Sequence, residues 1–295
     1  MNIDLPALVV SAILLAGLYA TMSYGLALIY GVMKIVNLAH AGVMMWAAYA
    51  AYVLIVNLGL NPFVAPLIVV PVFFVFGVFM QRYIVRRVMF APSISSLLLL
   101  FGVWLIMQNI AYLVFSGDTR AITTQYTLVT FQVAGISMSL NRVAVFVVGV
   151  GAVIGLQRFL EQTYMGKAIR ATAQDSDASK LVGIDTDHIM EIAFGLGIAL
   201  AGLAGSLLSL IFAFDPDFGR SHLLKAFCIV VLGGLESVVG VALGSLVLAL
   251  AEALSIIWVM PALQDFISFA ILVIVLVVMP GGMMGLVAKL RRAPR

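Results

Sequence analysis

Residues 7–29 and 194–214 each run without one charged side chain. About 20 such residues make an α-helix long enough to cross the ~30 Å hydrocarbon core of a bilayer. Inside a bilayer every backbone N–H and C=O must find its partner within the protein, so only helices and closed barrels span it. A barrel strand alternates apolar and polar over ~10 residues, and these runs do not alternate. Composition points the same way. Of 295 residues, 64% are hydrophobic and 10% charged, against roughly 25% charged in a soluble domain. Too few charges remain to coat a water-exposed surface. Cys228 is the only cysteine, which excludes a disulfide scaffold. The expected fold is all-α: a polytopic transmembrane helical bundle forming a single domain over 1–295, with loops too short for a second one. The N-terminus does not read as a cleavable leader, since Asp4 stands where a basic region belongs and the first apolar run is span-length.

Spans are expected near 7–29, 38–57, 62–84, 94–115, 143–160, 189–213, 238–258 and 263–280. A ninth segment, 223–235, is short and ends in Gly233-Gly234, so it reads as a span or as a half-helix buried in protein. The total is eight or nine. Basic residues set the orientation. With the Arg82–Arg87 loop, the loop at about 161–188 and the C-terminus in the cytoplasm, all of the 16 basic residues but Arg120, Arg142, Arg220 and Lys225 lie inside. The net charge of +3 thus follows topology and does not argue for nucleic acid. Nine spans put the N-terminus outside, eight inside.

The outer loop at about 116–142 carries alternating Thr, Gln and Val, which suggests a short hairpin or interfacial element. Small residues at Gly17/Thr21/Gly25, Gly197/Ala201/Gly205 and Gly240/Gly244 recur every four positions, the spacing that lets helix backbones approach closely in lipid.

Enzymatic motifs are missing. Gly166-Lys167 has no glycine five residues upstream and Ala168 in place of the hydroxyl of a phosphate loop. His40, His188 and His222 are far apart, without an H-E-x-x-H arrangement, and no G-x-S-x-G elbow occurs. No catalytic or metal-ligating residue is therefore assigned. Charges at membrane depth cost roughly 2.5–3.5 kcal/mol on insertion scales and mark an aqueous path or a partner. The candidates are His40, Asp265 and, most clearly, Glu252. So few titratable groups favour an external energy source over ion coupling. A secondary carrier or channel remains the alternative, and a membrane scaffold without flux a third reading.

Residues 165–187 are too polar to span, yet 168–182 contain neither Gly nor Pro, which predicts one short helix on the cytoplasmic face. Gly183 fits the left-handed position after a helix end, with Ile184 as the accompanying apolar contact. Asp185, Thr186 and Asp187 are N-cap candidates for the next span. Arg170, Lys180, Asp175 and Asp177 give the helix a mixed-charge face, and Ala171, Ala178 and Val182 a shallow apolar stripe. By itself this describes a solvated interfacial helix as well as a docking element.

Four sets of residues, in order along nearly the whole chain, carry a resemblance. They are Asn37-Leu38-Ala39-His40 with Met44 and Ala48-Tyr49; Gly166, Arg170-Ala171, Ala173, Asp175, Ala178, Leu181 and Gly183-Ile184; Leu232-Gly233-Gly234-Leu235 with Ser237, Gly240 and Gly244; and Pro280-Gly281 with Gly285. In these the chain resembles the branched-chain amino-acid permease family, the membrane subunits of bacterial ABC importers. It departs from the pattern at Ala41, Glu236, Met279 and Met283-Met284. The first two lie near the expected path and leave the solute open among amino acids, urea, amides and aromatic acids.

The resemblance implies an inner-membrane permease subunit with a cytoplasmic C-terminus. Its implied partners are two ATP-binding subunits, a second permease subunit and a periplasmic binding protein. No cofactor is bound by this chain, ATP residing on the partners. Gly166, Arg170, Ala171, Asp175, Ala178 and Gly183 become the ATPase-coupling residues. Asn37, His40, Gln108, Asn109, Gly233, Gly234, Glu236 and Glu252 become candidates for the translocation path. For Asn37 and His40 an inner gate or a structural bracket near the cytoplasmic face is expected. Gln108-Asn109 line the conduit or tie two helices, and Glu252 is a path residue or a helix tie.

Overall fold

The computed structural model describes residues 5–89, 91–127, 129–133, 135–234, 237–255, 264–278 and 282–283. Leu235, Glu236, Met279, Pro280-Gly281, Gly285 and the basic C-terminus lie outside the described residues, as does the side chain of Asp265. The chain runs α1 (Leu5–Met33), α2 (His40–Tyr52), α3 (Ala65–Tyr83), α4 (Ser93–Phe115), β1 (Thr130–Val133), β2 (Ile136–Ser139), α5 (Leu140–Gln162), α6 (Tyr164–Gln174), α7 (Ser176–Leu181), α8 (Thr186–Leu208), α9 (Phe218–Gly233), α10 (Val238–Ser255) and α11 (Gln264–Val278). A wider π turn, Val53–Asn57, prolongs α2. Among the described residues, 7 helices are long and apolar enough to cross a membrane. Over those residues α9 and α11, with 16 and 15 residues, fall short of that length.

Side-chain contacts fix which ends lie together. The β1–β2 hairpin turns at Gly135, where φ is 82°, and pairs Thr130 with Ser139. The loop leading into it is joined to the segment after α8 by a two-way backbone bridge, Arg120 to Phe214, at 2.8 Å each way. Tyr49 and Tyr52 near the end of α2 pack on the Phe214 ring. At the opposite end Tyr24 of α1 donates to Gln157 of α5, and Arg82 of α3 meets Glu191 of α8. With α6 and α7 left aside, successive helices therefore alternate between a hairpin end and a coupling end, and α1 starts at the hairpin end.

Helix α8 is the hub, with 89% of its most apolar window buried. Small residues set its crossings. A Cβ on Gly25 of α1 would lie 2.6 Å from the Gly197 carbonyl, and one on Gly205 2.1 Å from the Met44 carbonyl of α2. Such backbone approaches bring dispersion contacts where lipid offers no hydrophobic drive. The spacing read from the sequence is thus used for packing.

The α1–α2 connection corrects one expectation. Residues 34–39 are not helical, Lys34 has φ 57°, and α2 does not begin level with the end of α1. His40 is fully buried, and its Nε2 lies 3.0 Å from the Met22 carbonyl oxygen. At 1.5 Å per residue Met22 is about 16 Å from the last residue of α1. The non-helical segment thus re-enters the bundle, where Ile35, Asn37 and Ala39 are buried in protein, the condition under which irregular backbone survives at membrane depth.

The single helix expected over 168–182 is two. Thr163 caps α6 by accepting from the Gly166 N–H, and the helix stops at Asp175, which has extended φ −156° and ψ 105°. The Asp175 carboxylate accepts from the Asp177 and Ala178 N–H groups and starts α7. A side chain that offers the backbone an alternative acceptor breaks the helix without Gly or Pro. The exit from α7 follows expectation. Gly183 has φ 85°, its N–H donates to Lys180 and the Ile184 N–H to Ser179, and Asp185 caps α8 through the His188 N–H. Gly183→Val is expected to cost about 1–2 kcal/mol, the left-handed penalty of a side chain. Faster amide exchange over 176–184, with the core of α8 unchanged, is the measurement.

Candidate functional site

A cavity of about 830 Å³ opens at the hairpin end, walled by the first half of α1, the 211–217 segment, α9 and the facing ends of α10 and α11. Its size is that of a small-molecule pocket. The wall carries both signs of charge, Arg142, Arg220 and Lys225 against Asp215, Asp217 and Glu252, beside apolar Leu14, Leu15, Leu224, Ala253 and Phe269. Two of the acids are held by protein donors. The Asp217 carboxylate accepts from Gln108 and from the Tyr112 hydroxyl at 2.6 Å, and Asp215 accepts the Asp217 N–H at 2.9 Å.

The most buried charges on this wall form one cluster. The Glu252 carboxylate accepts from the Tyr19 hydroxyl at 2.6 Å and from the Ser268 hydroxyl at 2.6 Å, and pairs with Lys225 Nζ at 3.2 Å. Lys225 also donates to the Tyr19 oxygen at 3.4 Å. Only 12% of the Lys225 side chain and 6% of the Glu252 side chain are exposed. One carboxylate therefore joins α1, α9, α10 and α11, and it does so at the cavity wall.

A second charged cluster holds the coupling end. Arg82 grips Glu191 with both arms, at 2.9 and 2.7 Å, while Arg86 pairs with Asp187, and His188 lies 3.8 Å from Glu191. A two-point guanidinium–carboxylate contact fixes orientation as well as distance, so α3 is locked to the second turn of α8. Beside it, α6 and α7 leave Tyr164, Lys167, Arg170, Leu181 and Val182 exposed. Gly183 and the Asp185 cap leave one tight turn between α7 and α8.

Of the path candidates, Glu252 lines the cavity. Asn37 and His40 are fully buried between helices, where both Asn37 amide atoms and His40 Nδ1 have no hydrogen-bond partner among the described residues. Gln108 reaches the cavity wall only through Asp217, and Asn109 turns back onto its own helix, donating to the Leu105 carbonyl. Gly233 and Gly234 form the tight end of α9, where a Cβ on Gly233 would meet Gly240 backbone at 2.3 Å. Glu236 lies outside the described residues. Among the coupling candidates Arg170, Asp175, Ala178 and Gly183 are exposed and Ala171 half-buried. Gly166 instead packs under α5, where a Cβ would lie 2.3 Å from the Phe159 carbonyl.

Sequence reasoning missed Lys225, counted only among the outward basic residues at the start of the 223–235 segment, and Glu191, which is 4% exposed and a second buried carboxylate. Each carried a signal. Lys225 stands alone in an apolar run and Glu252 is the isolated opposite charge, while Glu191 opens a span and Arg82 closes one. Charges in such places need partners.

The sequence that builds this helical bundle, with a charged chamber at one end, has relatives. The family model for the permease component of branched-chain amino acid transport systems matches residues 8–276. The chain is 29% identical over 288 residues to the high-affinity branched-chain amino acid transport system permease protein LivH of Escherichia coli (strain K12), covering 93% of this chain and 94% of that protein. It is 29% identical over 292 residues to the permease protein BraD of Pseudomonas aeruginosa, with 94% of each covered. A probable LivH of Methanocaldococcus jannaschii is 25% identical over 294 residues, covering 93% of this chain and 90% of that one. No solved structure matches. The match runs from the first turns of α1 into α11 and takes in both the chamber and the coupling surface, and the chain belongs to the branched-chain amino acid permease family.

Proposed function

We propose that the chain is the membrane subunit of an ATP-driven importer in the inner membrane, passing a small amphiphilic solute, with branched-chain amino acids first, from the hairpin side to the cytoplasm. The observation that carries this reading is the chamber: an opening at the hairpin end that leads to a buried Lys225–Glu252 pair. The hairpin end faces outward because Lys167, Arg170, Arg82 and Arg86 crowd the opposite one, as basic residues do on the cytoplasmic side. Alternating helix directions then give nine passages, with the N-terminus outside and the C-terminus in the cytoplasm. A periplasmic binding protein delivers the solute at the hairpin face, and a second permease subunit completes the membrane part. ATP is bound and spent on separate cytoplasmic subunits docked on α6 and α7, whose motion enters α8 through the Gly183 turn.

The test is reconstitution in proteoliposomes with candidate ATP-binding subunits and binding protein. ATP-dependent accumulation supports the importer, whereas uptake that follows a proton or sodium gradient without those subunits supports a secondary carrier. Arg170→Glu reverses charge on the docking face. Like charges across an interface cost several kcal/mol, so uptake is expected to fall by about tenfold or more while the subunit still inserts. Normal uptake by this variant would remove α6 from the docking surface.

A further inference from the structure

We propose that Lys225 and Glu252 are the selectivity element of the chamber, and that they recognise a zwitterion by exchanging partners with it. This rests on the chamber being the solute pathway. Without solute the two side chains neutralise one another at 3.2 Å, and Tyr19 and Ser268 complete the carboxylate's hydrogen bonds. Both nevertheless border the cavity, as does Tyr19, so a solute reaches the pair without the helices parting.

An α-amino acid presents an ammonium and a carboxylate on one carbon. Set against the pair, its carboxylate takes Lys225 and its ammonium takes Glu252. One ion pair is replaced by two, and no buried charge is left unmatched. A carboxylate without an ammonium takes Lys225 and strands Glu252, and an amine without a carboxylate draws Glu252 from Lys225 and returns no anion in its place. Leaving one partner of a buried pair uncompensated is the costly event, so the pair rejects singly charged solutes of the same shape. A neutral solute gains nothing from separating it. Leu14, Leu15, Leu224 and Phe269 line the same cavity and offer an apolar bed for an uncharged side chain. Of the acids on the wall, Glu252 is the one paired with a buried cation, Lys225, among the described residues.

The experiment uses the full chain in lipid nanodiscs and saturation-transfer NMR, which reads weak binding of small solutes. Three probes share one skeleton: L-leucine, 4-methylpentanoate, which lacks the ammonium, and 3-methylbutylamine, which lacks the carboxylate. Leucine is expected to bind about tenfold or more tightly than either analogue. In the double variant Lys225→Met/Glu252→Gln no charge is stranded, so the bundle is retained, and the preference among the three probes is expected to vanish. A pair serving only to tie helices predicts equal binding of all three by the wild type, or an unchanged preference in the double variant, and either result overturns the proposal. Equal binding of all three leaves the chamber standing as a solute site. Binding of none removes the chamber reading together with the proposal.

Discussion

Gly205→Val is expected to unfold the bundle at its hub. A Cβ at this position would sit 2.1 Å from the Met44 carbonyl oxygen and 2.7 Å from the Met44 Cα. Both are backbone atoms of α2 and cannot rotate away, so α2 and α8 must separate and carry His40 and the non-helical 34–39 segment with them. Overpacking a filled core costs typically 1–3 kcal/mol even when side chains can adjust. Here none can, and about 3 kcal/mol or more is expected. Cys228 provides the measurement, since it is the only cysteine and is buried. A thiol-reactive dye added during heating reports unfolding as that thiol emerges. Gly151→Ala is the control: nothing lies within 4 Å of a Cβ there, and the change relieves the helix penalty of glycine, about 1 kcal/mol. Equal melting of the two variants would mean that α2 and α8 do not touch as described.

Lys225→Met is expected to be the most damaging single change at the chamber. It removes the cation from Glu252, whose side chain is 6% exposed, and leaves only the neutral donors Tyr19 and Ser268. Breaking a buried pair from one side costs about 3–5 kcal/mol, because a charge is left in a poorly solvating place. Adding Glu252→Gln removes that charge and keeps one hydroxyl bond as it is, while the amide N–H donates to the other hydroxyl oxygen, so most of the loss is expected to return. The same dye assay on both single variants and the double closes a thermodynamic cycle. Simple additivity would show that the two groups do not interact in the membrane-embedded protein.

The parts of the fold legible in the sequence are those governed by neighbours in the chain. Apolar runs long enough to span, the stop at Gly183, the cap at Asp185 and the hairpin near 130–139 all follow from residues within a few positions of one another. The break at Asp175 was legible by the same logic. Asp-Ser-Asp-Ala is an N-cap followed by a first helical turn, and treating only Gly and Pro as helix breakers hid it.

The site was legible in half. Glu252 stood out because an acid inside an apolar helix needs a partner, but its partners Tyr19, Lys225 and Ser268 come from three other helices. Tyr19 lies 233 positions away. Lys225 looked like the outward end of a doubtful short segment, 223–235, and Asn37 and His40 looked superficial because a non-helical stretch does not announce whether it leaves the bundle or turns back into it.

The sequence by itself determined that this chain lives in a bilayer as helices and where most helices begin and end. Those outcomes depend on local hydrogen bonding and on the transfer of each segment into lipid. Which charges meet, how deep the α1–α2 break lies and which wall lines the chamber were decided only by tertiary structure. In hydrocarbon an apolar helix face has no strong preference among neighbours. The arrangement is set by where glycines let backbones touch and where isolated charges find one another, and both are properties of pairs of helices.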